Sequence, residues 1–161
     1  MNNLISLYRL KGKIITIDIS IYLYRFKSVD KLMENMYILC SLMCFFEIKP
    51  LFKRENLLHL IKLTKRTKKY GLISFKEKNL INLYKINKKL PLGLLFLAST
   101  SFKKIKIKSK KKYVKFLVIE KKFLSNKNLN LIKKRIYYYT IKNKSLFKKY
   151  RHRRNLIFEN L

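Results

Sequence analysis

From Ile15 to Leu23 apolar side chains fall on alternate positions, Ile15, Ile17, Ile19, Ile21 and Leu23, with Thr16, Asp18, Ser20 and Tyr22 between them. A period of two is that of a half-buried strand. Upstream, Leu4, Ile5, Leu7, Tyr8 and Leu10 suit a short helix that Gly12 ends. Downstream, Ser28 and Asp30 offer an N-cap and a first-turn acid to a helix with Leu32, Met33, Met36, Leu39, Cys40 and Met43 on its inner side, closed off by Pro50. From Leu57 to Tyr70 the pattern is basic and amphipathic, with Leu57, Leu60, Ile61 and Leu63 facing in and Lys62, Lys65, Arg66, Lys68 and Lys69 facing out. Gly71 is read as a turn, Leu72 to Phe75 as a short strand, and Asn79 to Ile86 as a helical turn.

Leu94 to Ala98 is an unbroken apolar run of strand length, introduced by Pro91 and Gly93 and followed by Ser99, Thr100 and Ser101. The alternation Lys104-Ile-Lys-Ile-Lys108 predicts a strand with one polar side, and Tyr113 to Ile119 predicts another. Between Asn126 and Tyr150, Leu129, Ile132, Ile136 and Tyr139 recur at helical spacing. These elements predict an α/β (α+β) chain of two small packed α/β halves, residues 1–56 and 57–122, with a basic, helical C-terminal extension over 123–161.

Charge changes the picture most. The 161 residues carry 40 Lys and Arg against 8 Asp and Glu, a formal net charge of +32. A compact monomer so charged repels itself, so a polyanion is the expected partner, nucleic acid first. Residues 103–154 hold 21 of the basic residues and one acid, Glu120, whereas residues before 61 hold 9 basic residues and 5 acids. The alphabet is rich in Lys, Asn, Ile, Phe and Tyr, with a single alanine, which points to an AT-rich genome such as an organelle's. The eleven-residue run Met36 to Phe46 is too short to span a bilayer, and no membrane insertion is expected.

Three hydroxyls beside Lys103 and Lys104 at the end of a strand suit the gripping of phosphate and sugar oxygens. Cys40 and Cys44, with His59 and His152, do not match a zinc spacing and are read as buried core thiols. No cofactor or metal is expected. Tyr137, Tyr138 and Tyr139 are candidates for stacking on bases, at least one of them packing instead.

The run Gly93, Leu94 to Ala98 and Ser99-Thr100-Ser101 resembles the Ser-Thr-Ser loop of the small-subunit ribosomal protein eight family. Lys69-Tyr70-Gly71 with Phe75 has the outline of that family's upstream Lys-Pro-Gly segment, with Tyr70 in place of the proline. The resemblance implies a structural, non-enzymatic constituent of an organellar small ribosomal subunit, binding rRNA among neighbouring ribosomal proteins in the mitochondrion or the plastid. It implies RNA contacts from Lys69, Gly71, Ser99, Thr100, Ser101, Lys103, Lys104, Lys106 and Lys108. The basic end adds Arg151, Arg153 and Arg154. A second similarity joins Lys11 to Asp18 and Ile48 to Phe52 with flap-endonuclease-type nucleases, in which Asp18 would be a metal ligand. Lys53-Arg54-Glu55 follows Phe52 where a second aspartate is needed, so the alternative is an inactive or truncated nucleic-acid-binding relative.

Overall fold

The computed structural model describes residues 14–18, 43–49, 53–64, 69–150 and 154–158. Seven strands run through it: Ile14–Asp18 (β1), Met43–Glu47 (β2), Tyr70–Ser74 (β3), Leu92–Phe96 (β4), Phe116–Glu120 (β5), Ile136–Ile141 (β6) and Asn155–Phe158 (β7). Each pairs with the next, every pair is parallel, and β7 returns to β1 so that the sheet closes into a barrel. Parallel neighbours need a crossover, and helices supply four of them. Arg54–Thr64 (α1), Glu77–Ile86 (α2), Phe102–Ser109 (α3) and Lys144–Tyr150 (α4) follow β2, β3, β4 and β6, while two 3-10 turns, Lys121–Phe123 and Lys127–Leu131, lie between β5 and β6.

Strands buried on both faces read as continuous apolar runs, and β4 (Leu-Gly-Leu-Leu-Phe) and most of β5 (Phe-Leu-Val-Ile) do so. Their side chains divide by parity into two cores. Phe45, Ile73, Leu95, Phe116, Val118, Tyr137 and Ile157 fill the barrel. Phe46, Leu72, Leu92, Leu94, Phe96, Leu117, Ile119 and Tyr138 face the surrounding layer, where Leu57, Leu60, Leu80, Leu83 and Ile105 of the helices meet them. The barrel is plugged by an aromatic trio: Phe45 stacks on Phe116 at 5.2 Å, and Tyr137 meets both edge-on at 4.8 and 5.5 Å.

The plug accounts for two of the three glycines. A Cβ on Gly93 would lie 2.2 Å from Phe116 Cε2, and one on Gly71 would lie 2.7 Å from both Phe116 and Phe45. Gly71 is therefore a strand residue under a ring, not a turn. Polar anchors fix the outside of β3: Ser74 Oγ donates to the Ile48 carbonyl at 2.6 Å, and the buried Asn79 amide donates to that carbonyl at 3.4 Å and to Ser74 Oγ at 3.3 Å.

The expected pair of packed halves with a helical extension is therefore corrected to one closed parallel barrel, with strands drawn from 1–56, 57–122 and 123–161 alike. The first strand is found at 14–18, while the expected helix at 4–10 and most of that after Ser28 lie outside the described residues. Met43 and Cys44, expected on a helix, belong to β2. Lys104 to Lys108 is helical, because Ser101 Oγ caps the Lys104 amide at 3.4 Å and Ile105 is buried while Ile107 stays exposed. The helical spacing after Asn126 yields to β6, where Tyr137 points into the barrel and Tyr138 out of it.

Candidate active site at the barrel mouth

In a parallel barrel every strand ends at the same rim, and βα loops there carry the chemistry of such folds. Glu47 is the last residue of β2 and Glu120 the last of β5, each two positions beyond an inward-facing side chain, Phe45 and Val118. Both are half-buried. Asp18 ends β1 in register with Glu47, so three of the strands end on a carboxylate residue.

Tyr139 of β6 stands in register with Glu120 on the neighbouring strand. Its hydroxyl donates to the Phe96 carbonyl at the end of β4, 3.0 Å away, and its ring meets Phe75 beyond β3 edge-on at 6.4 Å. The side chain therefore crosses the mouth from β6 to β4 and β3. Burial pushes the phenol up to about 12, and the charges of Glu120 and Glu47 push in the same direction, because both carboxylates would repel a phenolate. Tyr139 is thus a neutral donor near pH 7. Glu120 is itself braced, its Oε2 accepting the Lys122 amide at 3.0 Å.

Cations follow several strands at the same rim. Lys49 follows β2, Lys76 follows β3, Lys121 and Lys122 follow β5, and Lys142 follows β6, all exposed. The loop after β4 adds Ser99, Thr100 and Ser101. Among the described residues no group of three or more His, Cys, Asp and Glu side chains is placed to hold a metal ion.

The residues singled out in the sequence are dispersed over this frame. Ser99 and Ser101 are exposed at the mouth, Thr100 is half-buried there, and Ser101 serves as the α3 cap. Lys103, Lys104 and Lys106 are exposed along α3. Lys108 is engaged: its Nζ lies 2.7 Å from Glu77 Oε2, while Tyr113 donates to Oε1 at 2.7 Å. Burial alone would raise the Glu77 carboxyl, but the hydrogen bonds from Lys108 and Tyr113, with the charges of Lys108 and Lys111, hold it below its ordinary value. Lys69 stands at the opposite end, before β3, and Gly71 is inside the barrel. Arg154 precedes β7, where it bonds Asn130 Oδ1 at 2.9 Å and lies 5.7 Å over the Tyr138 ring. Arg151 and Arg153 lie outside the described residues. The structure thus gathers the hydroxyl loop with Lys103 and Lys104 and leaves Lys69, Gly71 and Arg154 elsewhere.

Tyr139 figures in the sequence only among the candidates for base stacking, and Glu47 and Glu120 carry no expected role there. Their signal is a repeated ending: Phe-Phe-Glu47-Ile-Lys and Val-Ile-Glu120-Lys-Lys each close an apolar run with an acid and then a lysine, as Thr-Ile-Asp18 closes a third run.

No protein-family model matches the chain, and no curated protein matches it. Solved structures do. A glycerophosphodiester phosphodiesterase from Parabacteroides distasonis superposes with a TM-score of 0.59 at 15% identity, over 81% of this chain and 58% of that one. An Oleispira antarctica phosphodiesterase, solved with its product sn-glycerol-3-phosphate, gives 0.60 at 19% identity over 79% and 56%. The fold is that of the glycerophosphodiester phosphodiesterase barrels. A glycerol uptake operon antiterminator-related protein from Thermotoga maritima shares it at 0.62 and 15% identity, over 99% of this chain and 89% of that one. The chain spans under two thirds of the length of the two phosphodiesterases.

This likeness corrects the functional expectations. The structural role in a small ribosomal subunit, with rRNA binding, translation and a mitochondrial ribosome as its setting, rested on a loop motif in a two-part fold. Here Gly93 and Gly71, which carried that motif, are glycines because aromatic rings of a phosphodiesterase-like barrel lie over them. The alternative of a nuclease-derived nucleic-acid binder gives way to the same likeness. The expectation of no enzyme is overturned too, since the fold is one that enzymes have.

Proposed function

We propose that the chain is a phosphodiesterase-type barrel that binds a phosphodiester at its C-terminal mouth and hydrolyses it. The observation that carries this reading is that Glu47 and Glu120 end β2 and β5 at the rim that Tyr139 spans, with Glu120 and Tyr139 in register on neighbouring strands. A water attacks phosphorus and passes its proton to the carboxylate pair. The bond from phosphorus to the leaving alkoxide breaks, and the neutral Tyr139 hydroxyl, moving from the Phe96 carbonyl to the ligand, protonates that oxygen while the carboxylate pair returns the water's proton to the phenol. The surrounding lysines offset the charge of an incoming phosphate.

The test is hydrolysis of a soluble glycerophosphodiester and of an aryl phosphodiester, each with added magnesium and with chelator. Glu120→Gln, Glu47→Gln and Tyr139→Phe are expected to lower kcat by about 10²- to 10⁴-fold, the usual weight of general acid–base groups. Wild-type protein inert toward both substrates, or variants as active as wild type, would refute the proposal. A second reading draws on the match to the antiterminator-related barrel over nearly the whole of both chains. In it the mouth binds a phosphorylated ligand without turnover, and sn-glycerol-3-phosphate binding by calorimetry in the absence of hydrolysis would favour it.

A further inference from the structure

The mouth carries large apolar side chains that water reaches. Phe75 is 38% exposed and Leu97 53% exposed, each the next inward position beyond Ile73 and Leu95. Phe75 is held against Tyr139, so this apolar lip adjoins the tyrosine of the proposed site. Around it stand exposed lysines: Lys49, Lys76, Lys103, Lys104, Lys121, Lys122 and Lys142. Among the described residues the other large exposed apolar side chains are scattered: Leu58 on α1, Ile107 on α3, and Leu131, 67% exposed, in the connection entering β6. Leu131 sits at the far end, next to the Asn130 that Arg154 binds before β7.

An apolar centre ringed by ammonium groups is complementary to a bilayer surface that bears anionic headgroups, whose acyl region accepts Phe and Leu while the headgroups meet lysine. We infer that the barrel docks mouth-first on anionic lipid and takes as substrate a phosphodiester carried by that lipid, an assignment of substrate that rests on the function proposed above. The docking is peripheral: among the described residues no helix is long and apolar enough to cross a membrane. It brings the phosphodiester of a headgroup to Glu47, Glu120 and Tyr139 without lifting the lipid out of its layer. Charge at the opposite end, including Lys88 and Lys89 in the turn entering β4, is left facing solvent.

The experiment is co-sedimentation with vesicles of phosphatidylcholine alone and of phosphatidylcholine mixed with phosphatidylserine. Wild type is expected to bind the mixed vesicles and to leave the neutral ones in the supernatant. Lys121→Gln with Lys122→Gln should weaken binding by about fivefold per lysine, and Phe75→Ser with Leu97→Ser by roughly tenfold or more. Lys88→Gln with Lys89→Gln, and Leu131→Ser, should change it less than twofold. Equal losses from the two ends would overturn the inference. So would an RNA duplex that strips the protein from vesicles at equal phosphate concentration, since the charge would then belong to nucleic acid. Turnover of a soluble diester without vesicle binding overturns the docking and leaves the phosphodiesterase reading intact. Mouth-dependent vesicle binding without turnover of any diester does the reverse.

Discussion

In an open strand, replacing glycine by alanine stabilises, by roughly 0.5–1 kcal/mol, because the glycine loses more backbone freedom on folding. Gly93→Ala is expected to have the opposite sign. The new methyl would stand 2.2, 2.5 and 2.8 Å from Phe116 Cε2, Cζ and Cδ2. The ring has nowhere to go: Phe45 stacks on it at 5.2 Å, Tyr137 meets it at 5.5 Å, and the space at Gly71 is already filled by the same ring and by Phe45. Overpacking of this kind costs about 1–3 kcal/mol, sometimes more, or roughly 2–4 °C in Tm for each kcal/mol in a chain of this size. The assay is urea unfolding followed by far-ultraviolet circular dichroism. Phe116→Leu removes the ring atoms nearest Gly93, so adding Gly93→Ala to that background should cost far less, with a coupling energy of about 0.5–3 kcal/mol. If Gly93→Ala is neutral or stabilising alone, or if the two changes simply add, the ring does not lie over Gly93 and the barrel interior described above is wrong.

Two further expectations follow from the mouth and its loops. Tyr139 and Tyr113 both titrate near 12, burial being the first cause in each, so their neutral forms are favoured by folding. The stability they contribute is full below pH about 10, the ordinary tyrosine value, and is lost as pH rises toward about 12; ultraviolet titration of phenolate should show this, and Tyr139→Phe should remove one of the late-titrating groups. Ser101→Ala should cost about 1 kcal/mol by uncapping α3, whereas Ser99→Ala should fall within about 0.5 kcal/mol, both read from urea midpoints.

What the sequence reveals depends on whether a local pattern has one physical meaning. The apolar runs of β4 and β5 are legible because few arrangements bury four or five consecutive residues. Alternation in Lys104-Ile-Lys-Ile-Lys108 is not decisive, since a two-turn helix capped by Ser101 buries Ile105 and leaves Ile107 in water. Tyr137, Tyr138 and Tyr139 show the converse. Their spacing suggests a helix with a surplus ring, but a strand sends one into the plug, one to the helices and one along the mouth. The site eluded a local reading for a geometric reason. Glu47 and Glu120 are 73 residues apart in sequence, and only closure of the sheet brings them both to Tyr139.

Closure also has a history in the making of the chain. β7 lies beside β6 along much of its length but, among the described residues, pairs with β1 at Ile15 and Phe158 alone. Until residues 155–158 have been synthesised, β1 and β6 are the bare edges of a parallel sheet rich in Ile, Phe and Leu, able to pair with another chain as readily as with their own. A sheet assembled from long-range parallel pairs gathers its partners slowly, which lengthens that interval. Four late residues therefore separate a sealed cylinder from an adhesive ribbon, and a chain stopped just short of Asn155 would be lost to aggregation with every residue of its mouth already in place.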